Sequence, residues 1–212
     1  MAGLSDDPLE NATDWLQANS RPLLIGLASA AVVAAVIFGY RAMSASKRTQ
    51  ASAALYQAQA PLLQGNLPEA QLALQRVVTQ YSGTRAGEQA ALLLAQALYD
   101  LKQHQGAITM LEKERGSASE DAKASFDAMI ASGYENLGNL DKAAEQYGKA
   151  AAATSVRQEK QQYLTSQGRS LMLAGKMEDA KKIFLELAAD AGSQYAQEAR
   201  VRLGEIVGAT VK

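Results

Sequence analysis

The sequence contains no cysteine, four prolines, one histidine and 6% aromatic residues. Without cysteine there is no disulfide scaffold, no thiolate metal site, no cysteine nucleophile and no lipid-modified cysteine. A cysteine-free chain is compatible with either redox compartment. One histidine leaves little material for general acid–base chemistry. Few aromatics argue against a β-sandwich or barrel. Few prolines beside abundant alanine, leucine and glutamine favour helix. A charge excess of either sign is also missing: Lys and Arg number 21, Asp and Glu 22, and the net charge is −1. There is thus no electrostatic footprint for nucleic acid. The 212 residues make one or two compact units, and the composition points away from an enzyme.

What is present begins with one apolar run. Leu23 to Tyr40 reads LLIGLASAAVVAAVIFGY and carries no charge. As a helix it spans about 27 Å, close to the hydrocarbon thickness of a bilayer. Arg21 and Arg41 bracket it, and Tyr40 stands where an interfacial aromatic belongs. Ser20 is placed to cap the helix, and Pro22 falls in its first turn. A signal peptide wants a basic leader and a shorter apolar core. Here Asp6, Asp7, Glu10 and Asp14 precede the run, with Arg21 as the sole basic side chain. No other segment is apolar enough to enclose the run as a core helix. We expect an uncleaved single span through residues 23–40. Orientation stays open: Arg41, Lys47 and Arg48 follow the span and mildly favour a cytoplasmic C-terminal side. Trp15 and Leu16, with Leu9 and Ala12, suit a short interfacial helix, and the Asn11-Ala12-Thr13 sequon is too short to weigh. Gly26, Ala30 and Ala34 recur at a spacing that permits close helix pairing, which any alanine-rich span also shows by chance.

Beyond the span the chain repeats itself. GNLPEA at Gly65 to Ala70 returns as KQHQGA at Lys102 to Ala107, GNLDKA at Gly138 to Ala143 and GKMEDA at Gly175 to Ala180. The four alanines are 37, 36 and 37 residues apart. Upstream of each turn lies a run with helical periodicity, such as Ala91, Leu94, Ala95 and Leu98. Downstream, apolar residues fall four and seven after the alanine, as in Leu74 and Val77 or Phe184 and Leu187. The second copy departs from this with Glu114 at the later place. Each unit therefore reads as helix, tight turn, helix.

These residues resemble the tetratricopeptide repeat: a small residue within the first helix (Ala95, Ala131, Gly168), a turn glycine (Gly65, Gly138, Gly175) and an alanine in the second helix. Tyr195 to Val207 is amphipathic through Ala196, Ala199, Leu203 and Ile206, as a terminal capping helix needs. The expected architecture is all-α: an N-terminal single transmembrane helix followed by a tetratricopeptide-like α-solenoid with a C-terminal capping helix. Its segments are an acidic tail 1–21, a transmembrane helix 22–40, a juxtamembrane helix 41–50, four repeats 51–194, and a capping helix with tail 195–212. Arg41 to Ala60 holds no Gly or Pro, so one helix is expected to run from the span into the first repeat.

No phosphate loop, metal-ligand spacing or nucleophile elbow is present, and no cofactor is expected. His104 reads as a solvated turn residue, and Met110, Met129, Met172 and Met177 as packing. What remains is binding. The resemblance implies a groove lined by the first helices. In the repeat register this comprises Leu55, Gln59 and Leu62, then Leu92, Gln96 and Tyr99, then Ala128, Ser132 and Glu135, then Thr165, Arg169 and Met172. The lining is neutral and polar with a few apolar contacts. Leu55 and Gln59 stand where carboxylate-binding chaperone cofactors carry lysine and asparagine, which argues against that activity.

The whole layout is similar to that of the bacterial ancillary subunit of the Sec translocon. That resemblance implies a single-pass protein of the bacterial inner membrane with periplasmic repeats. It also implies translocon subunits and a membrane-anchored chaperone as protein partners. The stretch Glu69 to Leu101 also resembles envelope-assembly lipoproteins and a cell-division coordinator. A self-assembling structural membrane protein, a homo-oligomer held by the span and the array, is a further alternative.

Overall fold

The computed structural model describes Trp15, Leu16 and residues 19–190 and 192–210. Residues 1–14 of the acidic tail 1–21, with the sequon at Asn11 and with Leu9 and Ala12, lie outside the described residues. The chain divides into two units, Met1–Lys47 and Arg48–Lys212. Helix α1 covers Ser20–Leu63. In the first unit its described apolar side chains, among them Ile25, Val33 and Phe38, are all exposed. Ser29 Oγ donates to the Ile25 carbonyl at 2.8 Å, so the hydroxyl of the apolar run is satisfied inside its own helix.

The second unit is a row of α-hairpins. The end of α1 pairs with α2 (Leu67–Tyr81), α3 (Arg85–Asp100) with α4 (His104–Arg115), α5 (Glu120–Asn136) with α6 (Leu140–Ala153), and α7 (Arg157–Leu173) with α8 (Met177–Ala189). Helix α9 (Ala196–Thr210) closes the row against α8. Each second helix also packs on the first helix of the following unit, and α3 touches α5 directly. First helices therefore line one side of the row and second helices the other.

The turn inside each hairpin explains the recurring motif. Gly65, Lys102, Gly138 and Gly175 occupy one position and adopt φ of 73°, 62°, 74° and 79°. The next N–H reaches back to close the helix end: Asn66 to the Pro61 carbonyl (2.9 Å), Gln103 to Leu98 (2.7 Å), Asn139 to Tyr134 (2.9 Å) and Lys176 to Leu171 (2.9 Å). This is a Schellman closure, which needs a left-handed residue at that place. Asn66 and Asn139 then cap the second helix by accepting the Glu69 and Lys142 amides.

Small residues set the helix spacing. Ala70, Ala107, Ala143 and Ala180 are each fully buried, so the repeating alanine marks where two helices approach most closely. A Cβ on Gly133 would lie 2.5 Å from Tyr99 Oη, and one on Gly168 would lie 2.6 Å from the Phe184 ring. The core forms two clusters. One is built on Leu74, Leu94, Ile108, Phe126 and Ile130, the other on Leu171, Phe184, Leu187 and Ile206. Glu114, the departure from the apolar pattern, accepts the Ser82 hydroxyl at 2.7 Å and ties the end of α4 to the α2–α3 turn.

Candidate partner-binding face

The first helices carry three rows of accessible side chains in strict repeat register. Gln59, Gln96, Ser132 and Arg169 form the middle row and are exposed or half-buried. Three residues earlier stand Tyr56, Leu93, Met129 and Ser166. Tyr56 is 80% exposed, while Leu93 and Met129 rest half-buried on the larger core cluster. Four residues later come Leu63, Asp100, Asn136 and Leu173, all exposed. Asp100 and Arg169 are the only charges in these rows. Gln96 Nε2 donates to Asp100 Oδ1 at 3.1 Å. The second helices differ: Lys113, Lys142, Glu145, Lys149, Glu178 and Lys182 place charge on the opposite side.

Not every expected groove residue reaches this face. Leu55 and Tyr99 are core residues, 6% and 4% exposed, which corrects the sequence-derived lining at those two positions. Tyr99 lies on α3, which packs against both α2 and α4, so its buried arc is wider and its free arc narrower than amphipathicity alone implies; Leu55 is drawn into the larger core cluster with Leu74 and Val77. Thr165 is also buried, its hydroxyl bonded to the Gln161 carbonyl at 2.8 Å. Met172 is half-buried against the smaller cluster, and Leu62 and Leu92 lean on the larger one. Gln59, Gln96, Ser132 and Arg169 share the accessible middle row. The residues missed are Tyr56, Leu93 and Met129. Stepping the middle row back by three residues in each copy would have found them.

Glu135 has a different place. Its carboxylate accepts the Tyr147 hydroxyl at 2.9 Å and the Ser170 hydroxyl at 2.8 Å, joining three helices across a unit boundary. Burial raises the Tyr147 hydroxyl above its ordinary range, and the Glu135 charge adds to the effect. Burial likewise raises Tyr99, whose Oη donates to the Met129 carbonyl at 2.7 Å. His104 is half-buried beside the Tyr99 ring at 5.8 Å, with Nδ1 buried and unbonded, so it packs where solvent was expected. Among the described residues no group of His, Asp and Glu is arranged to hold a metal ion. The face can contact another molecule through amides, hydroxyls and apolar side chains.

Comparison with known proteins agrees with this geometry. Residues 30–114 match the family described as anaphase-promoting complex, cyclosome, subunit 3. No curated protein matches the sequence. The chain is similar to a crystal structure of putative kinesin light chain nearly identical TPR-like repeats from Podosopora anserina. Identity is 17%, covering 77% of this chain and 88% of that one, with a TM-score of 0.61. It is also similar to a tetratricopeptide repeat protein from Parabacteroides merdae ATCC 43184, at 17% identity, 75% and 61% coverage and a TM-score of 0.58. The chain has the tetratricopeptide-like α-solenoid fold.

Proposed function

We propose that this protein is a membrane-anchored scaffold for protein–protein interaction. Its array would stand on the periplasmic side of a bacterial inner membrane, where it gathers Sec translocon subunits and a membrane-anchored chaperone. The observation that carries the anchor is the apolar run of α1, none of whose described residues is buried. A helix of that length and composition left uncovered has a bilayer as its natural surrounding. The observation that carries the scaffold is the accessible first-helix face, in a fold whose repeats present extended binding surfaces. The periplasmic orientation and the translocon rest on the layout of tail, span and repeats. Arg41, Lys47 and Arg48 pull the orientation the other way.

Two experiments test the reading. A reporter active only outside the cytoplasm, fused after Lys212, is expected to be active; an inactive fusion with an active cytoplasmic counterpart overturns the orientation and with it the periplasmic partners. A photo-cross-linker at Gln96 or Arg169 in the full chain is expected to capture translocon or chaperone subunits. Absence of any protein adduct at both sites overturns the scaffold.

A further inference from the structure

Where one first helix meets the start of the next, a polar side chain closes the corner in two units. Glu88 of α3 accepts the Ser119 N–H at 2.7 Å and the Ser119 hydroxyl at 3.1 Å, one oxygen for each, at the start of α5. Gln161 of α7, at the corresponding place in the repeat, accepts the Ser193 hydroxyl at 2.8 Å just before α9. At the start of α7 the corresponding residue is Ala124, and the Val156 N–H is satisfied locally by Thr154 Oγ1 at 3.1 Å. The first corner differs from these three. Its corresponding residue is Ala51, 37 residues before Glu88, which has no polar group to offer. The corner is a cavity of about 440 Å³, lined among others by Arg48 and Ser52 of α1, Thr84 and Arg85 at the start of α3, and Glu88. Thr84 caps α3 by accepting the Gly87 N–H at 3.1 Å, while the Arg85 and Ala86 N–H groups precede the helical ladder and have no partner within it. Arg85 pairs with Asp121 at 3.1 Å, with both side chains exposed. Arg48 makes no ion pair among the described residues.

We propose that this cavity binds a phosphodiester group. Its donors come from two helices: the guanidinium of Arg48 on α1, and the guanidinium of Arg85 with the first amides of α3. Donors spread in this way suit tetrahedral oxygens, whereas a planar carboxylate is satisfied by a single fork. The charge balance sets the class of ester. Asp121 already partners Arg85, and both oxygens of Glu88 are held by Ser119, so Arg48 is the lining cation with charge to spare. A phosphodiester brings one negative charge to meet it. A monoester brings nearly two, and the second is repelled by Glu88. The Arg85–Asp121 pair is no obstacle, because an exposed pair is held weakly and a guanidinium has further donors to offer. The volume lies in the range of small-molecule sites and exceeds what a bare ion needs, so the esterified groups are accommodated as well. Such a diester is found in phospholipid headgroups and in soluble glycerophosphodiesters, and the recognising chemistry is the same for both. The site does not depend on the scaffold reading; only the lipid source draws on the anchor.

The test uses the full chain in micelles of an uncharged sugar detergent and isothermal titration calorimetry. One arm titrates soluble glycerophosphoglycerol. The other adds phosphatidylglycerol to the micelles, which carries the same diester on a lipid. Saturable binding is expected: heat in the soluble arm assigns a free ligand as sufficient, and heat confined to the lipid arm assigns a headgroup. In whichever arm binds, Arg48→Gln and Arg85→Gln should each weaken the affinity about tenfold or more, since each removes a charge-assisted bond. Arg76→Gln on α2, outside the lining, should leave it unchanged. Ala51→Glu sets a carboxylate where Glu88 stands in the next unit, and should abolish binding with the helical circular dichroism intact. If that variant does not fold, the arginine variants decide alone. Raising the salt should weaken binding progressively, as screening of charge pairs requires. No binding in either arm overturns the proposal. So does Arg48→Gln binding like the parent, or acetate or glycerol 3-phosphate binding more tightly than the diester. None of these results touches the scaffold reading, which the cross-linking at Gln96 and Arg169 decides separately.

Discussion

At the residue scale the informative positions are those where one atom decides the conformation. Lys102 adopts φ of 62° where the other three units have glycine. A left-handed non-glycine residue costs about 1–2 kcal/mol, and glycine returns part of that through its looser unfolded state. Lys102→Gly is therefore expected to stabilise the protein by about 0.5–1 kcal/mol, seen as a higher urea midpoint with an unchanged slope; a lower midpoint would refute the strain. Gly168 presents the opposite case. The Phe184 ring sits 2.6 Å from where a Cβ would be, and both lie in the core. Gly168→Ala should cost about 1–3 kcal/mol through overpacking. The motif spacing made both sites visible in the sequence, since Lys102 aligns with the turn glycines and Gly168 with Ala95 and Ala131. The depth of Leu55 and Tyr99 was not visible, because sequence period locates the centre of a helix face and not the width its neighbours cover.

At the element scale, side-chain ties join consecutive helices. Arg115 at the end of α4 makes a bidentate pair with Asp127 of α5, with Nη2 to Oδ2 at 2.7 Å. Asp127 is 1% exposed and Arg115 36%. The two ends of the pair are therefore unequal. Arg115→Ala strands a buried carboxylate and should cost about 3–5 kcal/mol. Asp127→Ala leaves a cation that water can reach, and should cost about 1–2 kcal/mol. Equal losses in chemical denaturation would contradict this asymmetry. Nothing in the sequence pairs position 115 with 127, since the bond depends on how α4 ends against α5. The tyrosine ties carry a pH signature. Tyr99 and Tyr147 stay protonated above the ordinary value of 10.0 because burial opposes the charged form. The folded state then holds protons that the unfolded state releases. Their contribution is complete below pH 10 and is lost as pH rises toward the folded-state values. Near-ultraviolet absorbance should show a fraction of the eight tyrosines resisting titration until the protein unfolds. Simultaneous titration of all eight in a still-folded protein would contradict the burial.

At the scale of the whole molecule, the second unit is nearly one-dimensional. Each helix contacts its sequence neighbours, and the core divides into a cluster from Ala51 to Ile130 and another from Ala144 to Ile206. The repeat period made this architecture legible without coordinates, because four copies of one hairpin can bury their apolar faces only by stacking. The division into two clusters was not legible, since it falls inside the third hairpin, between Ile130 of α5 and Ala144 of α6, where α6 buries mostly small alanines (Ala143, Ala144, Ala150 and Ala151). A stack of this kind should lose its ends before its middle. Ile206 on α9 is 2% exposed and packs with Leu187 and Phe184. Ile206→Ala should remove about 2–4 kcal/mol, but the loss should be local. Hydrogen exchange is expected to speed up in α8 and α9 while α3 to α5 keep their protection. Uniform loss of protection across all the hairpins would mean that the array folds as a single cooperative block, and that the two clusters are one core.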